Sequence, residues 1–196
     1  MENSLEIVHY PHPALRYQSK PIKRVNSALK KTVDEMFELM YEASGVGLAA
    51  NQVNLGIRLF VMNEAGQKGD GEEHVFLNPV ISKPKGSEEN QEGCLSLPEL
   101  YGNVIRPKEI QCQAYNLQGE PFNQVIGGLF GRIIQHEADH LDGVLFIDRM
   151  KESAKEQIAE EIEEFEIEFR AKRDAGEIPD DATLMKHLAE VEGLFC

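Results

Sequence analysis

Between residues 26 and 42, apolar side chains recur at three- and four-residue spacing. Leu29, Val33, Met36, Phe37 and Met40 make one stripe, and Lys30, Lys31, Asp34 and Glu38 fall mostly opposite. That is the period of a helix with one face on a core. Asn26 or Ser27 is placed to cap its start, and Gly45 to close its end with a positive φ. The period then changes. Residues 57–62 and 74–81 are short apolar runs that read as strands, with Pro79 marking an edge or a bulge. Residues 64–73 and 83–91 are polar and read as surface loops. Residues 104–105 and 109–116 suggest further strands, and 116–120 a hairpin turn. Residues 127–142 return to helical spacing and stop near Gly143, and 144–147 form a last short apolar run. Near the start, residues 5–8 are apolar and lead into His9-Tyr10-Pro11-His12-Pro13. Two prolines there forbid a helix and pin the chain extended, and both histidines read as turn residues.

From Lys151 the pattern shifts again. Residues 160–170 are rich in glutamate, with Ile158, Ile162, Phe165 and Phe169 at helical spacing. This predicts an acidic helix with a narrow apolar stripe. Residues 176–181 break it, and 183–194 suit a second short helix. The organisation expected is therefore a domain over residues 1–150 and an acidic helical extension over 151–196. The extension either packs on its own domain or mediates self-association through those four apolar residues.

Composition narrows the class. A chain of 196 residues with 41% hydrophobic and 28% charged residues fits one globular domain with an appendage. A formal net charge of -14 argues against a general nucleic-acid binder and against a DNA partner. Cys94, Cys112 and Cys196 are too few for a disulfide framework and point to a reducing compartment. Cys112 reads as core and Cys196 as an exposed thiol. Residues 1–8 lack a basic n-region followed by a long apolar run, and no apolar run reaches the length of a membrane span. A cytoplasmic protein with no membrane partner is expected.

One stretch carries chemistry: Gln135-His136-Glu137-Ala138-Asp139-His140-Leu141-Asp142-Gly143. Histidines four apart share a helix face, so His136 and His140 can meet one metal ion. Glu137 follows the first and is placed as a base beside that ion, the pattern of metal-dependent hydrolases. A catalytic ion usually takes three protein ligands. His187, Asp142 and Asp148 lie downstream without a convincing spacing. Upstream, Cys94 in Glu92-Gly93-Cys94-Leu95-Ser96 is the better donor. Asp139 and Arg132 read as supporting or solvated residues, and Gln52 alone as a polar loop residue.

Three segments together resemble the signature motifs of peptide deformylases, in that family's order. They are Gly45-Val46-Gly47-Leu48-Ala49-Ala50-Asn51-Gln52, the cysteine segment just quoted, and the histidine helix. The resemblance covers roughly residues 5 to 150. It implies an α+β fold, with antiparallel sheets around a central metal-binding helix, to which the C-terminal acidic helical extension is appended. It implies removal of the formyl group from N-terminal formyl-methionine of new polypeptides. It assigns Cys94, His136 and His140 as ligands of one divalent ion, Fe(II) before Zn(II), Ni(II) or Co(II). It assigns Glu137 as the acid–base residue, and Gln52 with the Leu95 backbone N–H to the substrate carbonyl. Gly47 and its neighbours resemble the family's peptide-binding edge. Periodicity, more than motif, places Val46, Leu129 and Ile133 around the methionine side chain. The formyl-methionyl peptide is thus the expected partner. In some relatives a basic C-terminal helix contacts the ribosome. Here the matching helix is acidic and would be repelled by ribosomal RNA, so ribosome contact stays an open partner expectation.

The same residues leave two other classes in play. A zincin-like endoprotease shares the histidine helix but draws its third ligand elsewhere. A non-catalytic metal binder would need neither Gln52 nor Glu137.

Overall fold

The computed structural model describes residues 5–196, so the first half of the N-terminal stretch read above lies outside the described residues. The first long helix, α1 (Ser27–Glu42), starts where Asn26 Oδ1 accepts the Leu29 N–H at 2.8 Å. It buries the five predicted apolar residues. Its end corrects the sequence reading. Ser44, not Gly45, takes the left-handed conformation, with φ 58°. Gly45 has a different duty: a Cβ there would lie 2.7 Å from Leu95 Cδ1. It is glycine because another chain segment packs against its backbone.

Five antiparallel strands form the main sheet in the order β1-β2-β3-β6-β7. They are β1 (Gly47–Ala49), β2 (Leu59–Met62), β3 (His74–Lys85), β6 (Glu109–Tyr115) and β7 (Pro121–Gly127). Strand β3 is central, so Pro79 marks a bulge and not an edge. The register slips between Leu77 and Val80, where Asn78 has φ 51°. A separate ribbon pairs β4 (Glu88–Cys94) with β5 (Leu97–Arg106). The loop expected over 83–91 is therefore the end of β3, a turn and most of β4. Residues 88–91 are all exposed, so this strand has no apolar alternation to announce it. Strand β7 buries only Ile126 and was equally silent in the sequence.

The helix of the histidines, α2 (Gly128–Leu141), lies against all five strands of the main sheet. Ile133, Ile134 and Leu141 pack with Phe60, Phe76, Ile110 and Cys112. Each such buried side chain stabilises the fold by roughly 1.5–3 kcal/mol. The helix ends at Asp142. Gly143 follows with φ 72°, and a Cβ there would meet the Arg16 carbonyl oxygen at 2.6 Å. The apolar run after it turns out helical, as the short α3 (Phe146–Arg149).

The tail packs on its own domain. After α4 (Glu152–Lys155), α5 (Ala159–Asp174) lays Ile162 and Phe165, with Ile158 just before it, against Leu15, Leu97, Leu100 and Phe146. The last helix, α6 (Asp181–Phe195), buries Leu184, Leu188, Val191 and Phe195. Val191 and Phe195 join the cluster under α1. Cys112 is core, as expected. Cys196 is half-buried against the α1 cluster rather than exposed.

Candidate metal centre

His136 and His140 stand one turn apart on α2, with ring centroids 5.0 Å from each other. Cys94 ends β4, and its Sγ lies 3.2 Å from His140 Nε2. The three ligand atoms lie within 4.8 Å of one another. The downstream alternatives sit elsewhere: Asp142 pairs with Arg58, Asp148 with Arg16, and His187 is exposed on α6. His12 is a turn residue, its Nδ1 accepting the Ala14 N–H.

Behind the trio is an ion-pair network that the motifs named but did not explain. His136 Nδ1 bonds Glu92 Oε2 at 3.0 Å, which fixes the ring and turns its other nitrogen toward Cys94. Glu92 also accepts from Arg106 at 2.6 and 2.9 Å and from Arg132. Arg106 reaches on to Asp139 at 2.8 Å, and Arg149 holds the same carboxylate at 2.6 Å. Arg132 and Asp139, both on α2, thus tie the histidine helix to Glu92, Arg106 and Arg149. Glu92 and Arg106 were missed as functional residues. One signal was available: Glu92 and Cys94 are two apart on a strand and so share a face.

The electrostatics suit a cation. Burial opposes ionisation of Glu92, but hydrogen bonds from His136 and Arg106 outweigh it and hold the carboxyl down at about 2. Burial likewise opposes charge on His136, yet Cys94 and Glu92 push its pKa up to about 10. The pocket therefore attracts positive charge, whether a proton or a metal ion. His140 is held well below its usual range, first by burial and then by His136, which keeps its imidazole neutral as a ligand must be. Thiolate and imidazole donors suit Fe(II) and Zn(II). The residues present thus fit one divalent ion.

Glu137 faces the same space. Burial pushes its carboxyl up to about 7, and Oε2 is buried without a hydrogen-bond partner. Gly47 makes room for it: a Cβ there would lie 2.5 Å from Glu137 Oε1 and 3.0 Å from Ile133 Cγ2. Buried Gln52 is positioned by Ala49, whose N–H donates to its Oε1 at 2.9 Å. Its Nε2 donates to Ser96 Oγ at 3.2 Å and lies 3.4 Å from Cys94 Sγ. Leu95 follows Cys94 in the turn between β4 and β5, packed on Gly45. Gly47 and Ile133 meet beside Glu137. Val46 and Leu129 are exposed, with Leu129 one turn from Ile133 on the same helix face.

Fold and site suit one class: a metal-dependent hydrolase, in which a cysteine and two histidines could hold the ion and a buried carboxylate stands beside them. Comparison with known proteins names the family. The profile for polypeptide deformylases matches residues 4–156, and the chain belongs to that family. It is 50% identical to the peptide deformylase of Rhodopirellula baltica over 97% of this chain and 95% of that one, so the likeness runs through the acidic tail. The tail was expected to lie beyond it. The chain is 44% identical to peptide deformylase 1B of Arabidopsis thaliana over 87% of its length, spanning 63% of that protein. Among solved structures, a plant peptide deformylase superposes with a TM-score of 0.84 at 42% identity, covering 92% of this chain and 97% of that one. The enzyme of Plasmodium falciparum superposes with a TM-score of 0.82 at 38% identity, covering 85% and 98%.

A Glu92→Ala substitution is expected to destabilise the fold by about 3 kcal/mol, because it leaves two buried guanidinium groups short of a partner. It is also expected to weaken metal binding by about 10–100-fold. Because the folded-state pKa of about 2 lies below the ordinary 4.5, Glu92 stabilises the fold fully at neutral pH. That contribution disappears as the pH falls from 4.5 toward 2. Denaturant titrations at pH 7 and pH 3 measure both effects, and a variant as stable as wild type at pH 7 contradicts this account.

Proposed function

We propose that Cys94, His136 and His140 hold one divalent cation, Fe(II) in the native enzyme, and that Glu137, Gln52 and Leu95 carry the chemistry around it. The reaction is hydrolysis: the N-formyl group leaves the formyl-methionine of a newly made polypeptide as formate. A bound divalent ion supplies a Lewis acid that activates water and polarises a carbonyl oxygen. Glu137 takes a proton from the attacking water, a role suited to a carboxylate poised near neutrality. Water oxygen bonds to the formyl carbon, and negative charge grows on the formyl oxygen. Gln52 Nε2 and the Leu95 N–H donate to that oxygen. Glu137 then returns its proton to the nitrogen as the C–N bond breaks. Formate and a free amino terminus result.

The peptide adds as a strand beside β1, the outer strand of the main sheet. Its methionine side chain lies among Val46, Ile133 and Leu129, with Gly47 leaving the backbone close to Glu137. Zn(II), Ni(II) and Co(II) fit the same donors. No helix among the described residues is long and apolar enough to cross a membrane. The three free cysteines suit a reducing compartment, and we assign the enzyme to the cytoplasm on that ground. The acidic charge of the tail works against a contact with ribosomal RNA through that helix, and the ribosome stays an open partner of the rest of the domain.

One observation carries this reading: a buried, partnerless carboxylate oxygen beside a thiolate–imidazole trio, in a gap only a glycine leaves open. Cys94 as the third donor separates it from an endoprotease of the zincin type. Protein prepared anaerobically with iron or nickel should release formate from a formyl-Met-Ala peptide. The iron form should lose activity in air, since its thiolate site is open to oxidation. No formate from fully metallated protein would remove the enzymatic assignment.

A further inference from the structure

We propose that α5 is a positioning element for the deformylation site, acting through Phe165 on the extended residues 8–10. The proposal rests on the reading of Gln52 and Leu95 as donors to the formyl oxygen. Residues 8–10 join the two loops that carry those donors. The Val8 N–H donates to the Gln52 carbonyl at 2.8 Å, and the Tyr10 N–H to the Ser96 carbonyl at 2.9 Å. The Gln52 side chain closes the same gap through Ser96 Oγ. One short segment therefore sets the spacing between Gln52 and the turn holding Leu95.

The outer side of that segment is covered by the tail. Phe165 lines one cleft with Pro98 and Leu100 at the start of β5, and another with Val8, Tyr10 and His12. It thus sits between residues 8–12 and the residues just after Ser96. Tyr10 OH donates to Glu166 at 3.3 Å, and the His12 ring meets Phe169 edge-on at 6.2 Å. Cys94 belongs to the same apolar cluster as Val8, Tyr10, Ile162 and Phe165. The far end of the tail is anchored independently, since Phe195 accepts the Lys23 N–H at 2.9 Å and is buried under α1. The tail is a strap fixed at its end and pressing at its middle.

The test uses the full-length, metal-loaded chain, with metal content measured for every variant. Phe165→Ala should lower kcat by about tenfold with KM within about twofold, because donors are misplaced while peptide binding is kept. Hydrogen exchange should quicken at the Val8 and Tyr10 amides and stay unchanged in α1. Phe165→Leu should recover most of the loss. Val33→Ala, in the core under α1, should lower Tm without lowering kcat. Wild-type kcat in Phe165→Ala, unchanged exchange at Val8 and Tyr10, or an equal kcat loss in Val33→Ala would each overturn the strap. If wild-type protein releases no formate, the functional reading fails instead, and the exchange data still decide whether α5 holds residues 8–10.

Discussion

Glu137→Ala should bind one divalent ion per chain as wild type does and release formate about 10²–10⁴ times more slowly. The two halves of this result separate base from ligand. Glu137 stands outside the donor trio, so its removal takes nothing from the ion's direct bonds. Its carboxyl is buried, pushed up to about 7, and has one oxygen with no partner in the folded chain. A buried polar atom left unpaired costs about 1–3 kcal/mol, a cost placed where the proposed reaction needs a proton accepted and returned. Metal analysis beside a formate assay measures both quantities. Turnover at the wild-type rate would contradict the acid–base role, and loss of the ion would make Glu137 a ligand.

The second large effect is expected at the thiol. Cys94→Ser exchanges a soft donor for a hydroxyl, which ionises far less readily and binds Fe(II) or Zn(II) poorly. Metal affinity should fall by about 100-fold or more, and formate release should fall with it at limiting metal. The fold should survive, because Cys94 is only half-buried at the end of a ribbon strand. Competition with a chromophoric chelator measures the affinity directly. Unchanged stoichiometry and activity in this variant would return the histidine helix to the endoprotease class.

Much of the site could be read from the chain because its chemistry is local. His136, Glu137 and His140 lie within two turns of one helix, and helical spacing alone puts them together. Cys94 needed the motif, since nothing in residues 92–96 says which helix they face. Glu92 escaped because a charged residue beside a cysteine reads as solvent-facing until Arg106 and Arg132 are seen around it. The helices were legible wherever one face met the core, as in α1. Strands β4 and β7 were not, because each buries only one residue and neither shows an alternation of buried and exposed apolar positions. Gly45 was assigned to the wrong task for a related reason. A glycine near a helix end suggests a cap, and only the packed structure shows Leu95 against it.

The proposed ligands come from separate parts of the architecture. Cys94 ends the two-stranded ribbon, and His140, 46 residues later, belongs to the helix laid on the main sheet. An ion shared by the two is therefore a cross-link as well as a reagent. Closing so long a loop removes freedom from the unfolded chain, and the free energy of binding is shared with the docking of ribbon onto helix. A chelator should loosen the ribbon long before it melts the sheet, so that shape and metal are expected to be lost at the same place.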